Sequence, residues 1–249
     1  MALAPALSSV HVVAALRQTE GFGGYAEMLA AEGIASAAVI DAAVATLRGR
    51  KQQAGKVVTV AWLRHAVKDY FRARVEARLV DAQLNTTASY VQAQRMVAGL
   101  SASDRGNLME VWYRVRYAPE GQAHQSHQVT RTSGDNKGLV ETRVADLVVG
   151  REAREVKSGK EPIDQDQFAA YVDLLKDDKL RAHIGIEKLR YVFTNPEGAM
   201  ANLEFMARAF DKFGVDGKLT IEVFDTSGGQ NIVKSKEQAL AMLLTLRGR

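Results

Sequence analysis

The chain has 249 residues, of which 47% are hydrophobic and 25% are charged, with 33 Lys and Arg against 29 Asp and Glu. This composition is typical of a globular protein and excludes an intrinsically disordered chain, while the excess of +4 is weak support for a polyanionic partner. Because there is no cysteine, disulfides, thiolate catalysis and zinc-thiolate sites are excluded.

Residues 1–100 form a predicted all-helical N-terminal region. Its segments lie near 6–18, 22–33 and 36–48, then over 57–82 and up to about 98. The apolar residues at helical spacing in the fourth segment are Leu63, Val67, Tyr70, Phe71, Val75 and Leu79. They predict a helix with one buried face. The basic residues on its other side are Arg64, Lys68, Arg72 and Arg78, which can track phosphates, although a solvated helix face is the commoner meaning of such charges.

The first residues, "MALAPALSSVHVVAAL", are apolar but lack the basic start of a secretory signal. No apolar run approaches the roughly 18 residues that a spanning helix needs. We therefore expect no membrane-spanning segment and a protein that is cytoplasmic when made. Export, if it occurs, would use a route other than a cleaved signal peptide.

Residues 101–249 have a sequence pattern that predicts strands as well as helices. The stretch "GLSASDRGN" offers Ser and Asp as N-caps for a helix over "LMEVWYRVRY". Beyond it the pattern predicts strands at 127–132, 139–149 and 153–158, a helix at 165–177, a strand at 189–194, a helix at 197–213, a strand at 219–224 and a helix at 235–247. This order predicts a second domain of the α/β or α+β class.

Gly150 and Arg151 form a plausible two-residue hairpin turn, in which the glycine supplies a positive φ. In that register Val149 faces Glu152, and Asp146 falls opposite Glu155. Lys157 lies on the same face as Glu155 because side chains alternate along a strand. The hairpin therefore gathers two carboxylates and an ammonium.

Two opposed carboxylates are unfavourable unless a cation lies between them. Mg²⁺ prefers oxygen ligands and is usually held by one or two carboxylates, with waters or substrate phosphate in its other positions. Such a metal can activate a water for attack on a phosphodiester, and Lys157 can orient that water or stabilise the charge on phosphorus. We therefore predict a Mg²⁺ (or Mn²⁺) site at Asp146 and Glu155.

These residues resemble the PD-(D/E)xK nucleases, which have the restriction-endonuclease-like fold. The match is carried by "RVADLVVG" and "EVKSG", with Asp146 as the first carboxylate and with Glu155 and Lys157 as the E-x-K motif. The chain has Ala145 where the family signature has proline. The resemblance covers roughly residues 101–195 and implies an αβββαβ core with a mixed sheet flanked by helices.

The resemblance also implies roles for further residues. Glu110 matches a glutamate on the helix before the strands, and the backbone carbonyl of Val156 is an expected extra metal ligand. Gln167 and Tyr171 match a Q-x-x-x-Y pattern and become candidate catalytic residues with Asp146, Glu155, Lys157 and Glu110. Arg143 matches an arginine of the bacterial toxin branch, and Arg143 and Ser158 are the candidate substrate-binding residues.

Structural alternatives exist for each of these residues. Asp146, Glu155 and Lys157 can form an ion pair on a solvated sheet face, although Val148 and Ala153 beside them are not polar. Glu110 can pair with Arg114, and Gln167 and Tyr171 can close the side of the core. The histidines of "GQAHQSHQ", His124 and His127, are expected to be loop residues rather than a metal site.

The resemblance implies a metal-dependent nuclease, acting on DNA in preference to RNA. It is closest to the toxins that bacteria deliver into competitors, which implies a cognate immunity protein and secretion into a target cell. The alternatives are a cytoplasmic repair or restriction nuclease, and a non-catalytic module that binds nucleic acid or protein on the same fold.

Overall fold

The computed structural model describes residues 37–79, 87–98, 100–132, 135, 137–213, 215 and 217–248. The helices predicted at 6–18 and 22–33 lie outside this part of the chain. Two compact units are present, one of Met1–Leu84 with Gln92–Trp112 and the other of Asn85–Val91 with Tyr113–Arg249. None of the helices within the described residues is long and apolar enough to span a membrane.

The described elements of the first unit are helical. They are α1 (Ala37–Gln53), α2 (Val60–Leu79), most of α3 (Thr87–Val97) and the first part of α4 (Ala102–Tyr117). Leu63 and Val67 of α2 are 0% exposed, which confirms its buried face. Ser101 caps α4 as the sequence predicts, because its Oγ accepts from the Asp104 amide at 3.2 Å and donates to the Asp104 carboxylate at 2.7 Å.

The second unit is a mixed α/β structure on a six-stranded sheet in the order β1-β2-β3-β4-β5-β6. The strands are β1 (Gln122–Thr130), β2 (Val140–Val149), β3 (Glu152–Lys157), β4 (Lys188–Phe193), β5 (Leu219–Phe224) and β6 (Gln230–Val233). The pairs β3–β4 and β4–β5 are parallel and the other three are antiparallel. Four helices follow the first three strands: α5 (Gln165–Lys176), α6 (Asp178–Ile184), α7 (Pro196–Phe213) and α8 (Lys236–Arg247).

The main core lies between the sheet and helices α5, α7 and α8. Apolar side chains from alternate positions of β4 and β5, such as Leu189 and Ile221, join Leu174, Leu203 and Leu243 of the helices. The alternation along β3 puts Ala153 and Glu155 on this helix-covered face. The site described below therefore lies where the sheet meets α5.

The opposite face of the same strands carries a polar network. Glu222, which is 1% exposed, accepts hydrogen bonds from Tyr113 at 2.9 Å, Arg190 at 3.0 Å and Gln230 at 2.6 Å. Arg190 also binds Glu152 at 2.9 Å. Every charge named in this network has a partner, as a buried charge requires.

Tyr90 of α3 belongs to the second unit. Its ring stacks on Phe224 with the centroids 5.6 Å apart, and its hydroxyl donates to the Thr194 carbonyl at 2.8 Å. Gly228 makes room for the ring: its φ is 89°, and a Cβ there would lie 2.7 Å from the Cβ of Tyr90.

Four elements differ from the sequence-based expectation. β1 begins at Gln122 rather than 127, so the predicted loop around His124 and His127 is wrong and both residues lie in a strand. Helix α6 and strand β6 were not predicted. Helix α4 begins at Ala102, well before the predicted stretch "LMEVWYRVRY" that starts at Leu108. The remaining strands and helices beyond residue 101 lie within about two residues of the expected bounds.

Candidate functional site

The hairpin of β2 and β3 has the predicted register. Gly150 adopts a φ of 59°, and Val149 pairs with Glu152. The ladder ends at the pair Leu147↔Arg154, one pair before Asp146 and Glu155. Beyond that point β3 continues in its parallel ladder with β4 as far as Lys157. The two strands of the hairpin therefore part at the position of the two carboxylates.

Asp146 lies just beyond the end of the β2–β3 ladder. Its Oδ2 accepts a hydrogen bond from the backbone amide of Val156 at 2.8 Å, and the side chain is half-buried. The amide and the carbonyl of a strand residue point to the same edge, so the carbonyl of Val156 also faces the side of Asp146. The Asp146 carboxylate thus lies beside a backbone carbonyl that the β2 ladder does not use.

Glu155 is buried, with 0% exposure, and both of its oxygens accept hydrogen bonds. Oε2 accepts from Lys157 Nζ at 2.8 Å and from Gln167 Nε2 at 3.1 Å, and Oε1 accepts from the Tyr171 hydroxyl at 2.8 Å. We call Asp146, Glu155, Lys157, Gln167 and Tyr171 the carboxylate cluster. A solvated ion pair, the alternative for these strand residues, is wrong for Glu155.

Helix α5 supplies Gln167 and Tyr171 from one face, since residues four apart lie one turn from each other. The N-cap of the helix is Asp164, whose Oδ1 accepts from the amides of Asp166 at 2.9 Å and Gln167 at 3.1 Å. Phe168, 1% exposed, anchors the helix in the core. The cap and the apolar anchor together hold the two polar side chains over β3.

Burial and neighbouring charges shift the pKa values of Glu155 and Lys157. Burial raises the pKa of Glu155; the Lys157 ammonium opposes that rise and the Asp146 carboxylate adds to it. Burial alone would lower the pKa of Lys157, but attraction to Glu155 and Asp146 outweighs it and the pKa is raised. Lys157 is therefore a protonated ammonium at neutral pH. Burial and the Glu155 charge also raise the pKa of Tyr171.

The other predicted site residues are placed as follows. Arg143 forms an ion pair with Glu141, and its positive charge opposes the rise in the pKa of Tyr171. Ser158 is buried, 6% exposed, with its carbonyl 3.5 Å from Asn195 Nδ2. Glu110 lies on the part of α4 that belongs to the first unit, and its metal role stays a prediction.

Two residues near the cluster were not predicted from the sequence. Asp164, the cap of α5, attracts the Lys157 ammonium. Tyr191 pairs with Glu155 across the β3–β4 ladder, its ring lies 5.8 Å from Lys157 Nζ, and its buried hydroxyl has no hydrogen-bond partner in the described structure. An Asp before a helix was a readable signal for the first, whereas nothing in "KLRYVF" distinguishes Tyr191 from a core residue.

The oxygen atoms at the end of the hairpin are of the types that bind a hard divalent cation. Asp146 and Glu155 offer carboxylate oxygens and Val156 a carbonyl oxygen, the ligand types that Mg²⁺ prefers. Among the described residues no group of three or more His, Cys, Asp or Glu could hold a metal, so the fit rests on two carboxylates. Two suffice for Mg²⁺, which commonly keeps several waters.

No protein-family model, no curated protein and no solved structure matches the chain.

Proposed function

We propose that the protein is a metal-dependent nuclease that hydrolyses phosphodiester bonds in nucleic acid, with DNA favoured over RNA. The observation that carries the proposal is the meeting of Asp146, Glu155 and Lys157 where β2 and β3 part. The order α4, β1, β2, β3, α5, β4 supports a restriction-endonuclease-like arrangement as part of the same proposal.

In the proposed mechanism Asp146, Glu155 and the Val156 carbonyl would hold Mg²⁺ or Mn²⁺. When bound, such a metal polarises a phosphoryl oxygen and lowers the pKa of a water. Lys157 is protonated, so it stabilises negative charge that develops on the phosphoryl group rather than accepting a proton. Arg143 and Ser158 are proposed to contact the substrate.

Gln167 and Tyr171 are positioning residues in this proposal. Each donates a hydrogen bond to a different oxygen of Glu155, at 3.1 and 2.8 Å, which fixes the plane of the carboxylate. The hydrogen bonds that they donate also favour the ionised form of the buried Glu155 side chain.

The biological setting follows the resemblance to delivered bacterial toxins. We propose an antibacterial effector that is neutralised by an immunity protein in the producing cell and secreted without a cleaved signal peptide. Expression separates this role from a repair or restriction nuclease: the toxin should kill its host unless a partner protein is present, and the housekeeping enzyme should not.

A second candidate is a non-catalytic binding module. One observation favours it, because both oxygens of Glu155 already accept hydrogen bonds from the chain itself and the carboxylate needs no further partner. A binding module should bind nucleic acid equally well in Mg²⁺ and in EDTA and leave it intact.

The decisive experiment incubates supercoiled plasmid or RNA with the protein in Mg²⁺ and in EDTA. Asp146→Asn keeps an acceptor for the Val156 amide but loses the charge, and Lys157→Met removes the ammonium. Both should abolish Mg²⁺-dependent cleavage. Glu187→Gln is the matched control, since Glu187 is 46% exposed and paired with Arg151 at the hairpin turn. Cleavage that survives both cluster variants would place the reaction elsewhere.

A further inference from the structure

Buried side-chain nitrogens without a hydrogen-bond partner in the described structure are concentrated towards the end of β1 and the start of β2. They are Nε2 of His127, Nη1 of Arg131 and Nε of Arg143. His127 and Arg143 are direct partners in the β1–β2 ladder, and Arg131 follows the last residue of β1. Because a buried donor without an acceptor is unfavourable, this concentration indicates a place where an acceptor binds.

The two arginines of this group meet at one carboxylate oxygen. Nη1 of Arg131 lies 3.6 Å from Oε2 of Glu141, and Nη2 of Arg143 donates a hydrogen bond to the same oxygen. A separation of 3.6 Å is too long for a hydrogen bond. Glu141 therefore satisfies one guanidinium and only attracts the other. We call Arg131, Arg143 and Glu141 the arginine clamp.

A second carboxylate of the same sheet also lies between two arginines, but its hydrogen bonds are complete. Oε1 of Glu152 accepts from Nε of Arg154 at 2.8 Å and from Nε of Arg190 at 2.9 Å, and Oε2 accepts from Nη2 of Arg190 at 3.3 Å. Neither of these arginines has a buried nitrogen without a partner in the described structure. The incomplete bonding of the arginine clamp is therefore not the general way in which this sheet pairs its charges.

Arg131 is held in place without Glu141. Its Nε donates to Oδ2 of Asp173 at 3.1 Å, and Asp173, which is 0% exposed, also accepts from the Thr132 amide at 3.1 Å and hydroxyl at 2.8 Å. Arg131 is 4% exposed, whereas Glu141 and Arg143 are 20% and 21% exposed. Glu141 is thus the member of the clamp that can turn to solvent while Arg131 keeps a carboxylate partner, as a buried charge requires.

The chemistry of the clamp suits a phosphate group. Water accepts hydrogen bonds but carries no charge, so the ligand that replaces Glu141 between two guanidinium groups must be an anion. A tetrahedral phosphate presents separate oxygens to the two planar guanidinium groups, which bind such oxygens in pairs. The positive charge of Arg143 also opposes the rise in the pKa of Tyr171, so the clamp lies within electrostatic reach of the carboxylate cluster.

We propose that Arg131 and Arg143 bind a phosphate group of the nucleic-acid backbone, and that Glu141 occupies their site until the phosphate displaces it. The choice of a backbone phosphate over free phosphate rests on the proposed nuclease function. Because Glu141 competes with the ligand, loss of its charge should strengthen binding.

The test measures binding of the full chain to a short, fluorescently labelled DNA duplex by anisotropy in EDTA. Glu141→Gln should bind about tenfold more tightly than the wild type and Arg143→Gln about tenfold more weakly, as for the gain or loss of one charge-assisted contact. In the Arg143→Gln background, Glu141→Gln should bring little gain, because the clamp has lost one of its two arms.

Glu152→Gln is the matched control, since Glu152 is 14% exposed and also lies between two arginines. Its DNA affinity should stay close to that of the wild type, as should that of the exposed Glu187→Gln, which serves if circular dichroism shows that Glu152→Gln does not fold. Unchanged affinity in Glu141→Gln, an equal gain in a control, or a full gain without Arg143 overturns the proposal.

Inorganic phosphate identifies the source of the ligand. At matched ionic strength it should raise the melting temperature of Glu141→Gln more than that of Arg143→Gln. Stabilisation by phosphate without any binding of DNA would overturn the assignment to the backbone. Plasmid cleavage in Mg²⁺ is scored separately. Tighter binding by Glu141→Gln without cleavage supports the clamp and rejects the nuclease, whereas cleavage with no effect of Glu141→Gln on binding rejects the clamp alone.

Discussion

The Tyr171 hydroxyl donates to Oε1 of Glu155 at 2.8 Å and thereby stabilises the ionised carboxylate. Tyr171→Phe should raise the pKa of Glu155 further. If ionised Glu155 is needed for cleavage, the acid limb of the pH profile of kcat should move to higher pH, while activity well above that limb falls less. The measurement is plasmid cleavage across pH.

Tyr191→Phe is the matched control for that variant. It removes the same hydroxyl from the residue that pairs with Glu155, but this hydroxyl has no hydrogen-bond partner in the described structure. The profile should stay in place, and the variant should be at least as stable as the wild type because a buried polar group without a partner is lost. Equal shifts in both variants would contradict the role given to Tyr171.

Glu155 itself should show a conflict between function and stability. Its pKa in the folded protein is raised, so the unfolded chain loses this proton at lower pH than the folded one does. The folded state therefore loses stability as pH rises through that range. Glu155→Gln stays neutral and can keep hydrogen bonds to Lys157 and Tyr171.

The Glu155→Gln variant should accordingly be inactive, yet its melting temperature relative to the wild type should increase from acidic to neutral pH. Thermal melts over that range measure this difference. Glu187→Gln, at an exposed position, should show no such trend. A difference between Glu155→Gln and the wild type that does not vary with pH would mean that burial does not raise the pKa of Glu155.

At the scale of elements, the β2–β3 hairpin depends on its turn. Gly150 has a φ of 59°, which costs an L-residue about 1–2 kcal/mol, and a Cβ there would meet no other atom. Gly150→Ala should therefore lower stability by about 1 kcal/mol without a steric clash, a shift of about 2–4 °C in Tm.

Gly185 gives a matched comparison, because it ends α6 with a φ of 80° in equally open space. Gly185→Ala should lower the stability by a similar amount. Only Gly150→Ala should speed hydrogen exchange of the Val156 amide, which Asp146 holds, and only it should weaken cleavage. Equal exchange in the two variants would show that the turn does not maintain the carboxylate cluster.

The hairpin could be predicted from the sequence because its turn is local: a glycine between two alternating runs sets the register. β1 was harder, since "QAHQSHQVT" lies at the end of the sheet and buries only Val129, leaving no apolar alternation to read. β6 has four residues and α6 has seven, too short for periodicity to identify. The contacts of Glu155 with α5 followed only from a resemblance, because spacing alone does not say which helix covers a strand.

At the scale of the molecule, Tyr90 connects distant parts of the sequence within the second unit. It is 3% exposed, stacks on Phe224 and binds Thr194. Tyr90→Ala should cost about 3–5 kcal/mol in the free energy of unfolding, as for other large aromatic truncations. Tyr90→Phe should cost only about 1 kcal/mol, the value of one hydrogen bond.

Chemical denaturation of the two Tyr90 variants measures these losses. A comparable loss in both would assign the stabilisation to the hydroxyl rather than to the ring. The contact between Tyr90 and Thr194 could not be predicted from the sequence, because the two residues are 104 positions apart and no local pattern relates them. The division of the chain at residues 100 and 101 remains a prediction, and a fragment that begins at 101 would lack this ring.

The Lys157 ammonium acts as an internal counter-ion for acids that would otherwise repel each other inside the protein. A chain neutralised in this way requires no ion from solution to reach its native state. In EDTA the protein should accordingly keep its folded circular dichroism spectrum and unfold cooperatively, with a melting temperature lowered only by the loss of ligand binding, and an unfolded protein in EDTA would contradict this. If the proposed cation binds, folding and metal loading would be separate events, and the polypeptide could fold in one environment and acquire the cation in another.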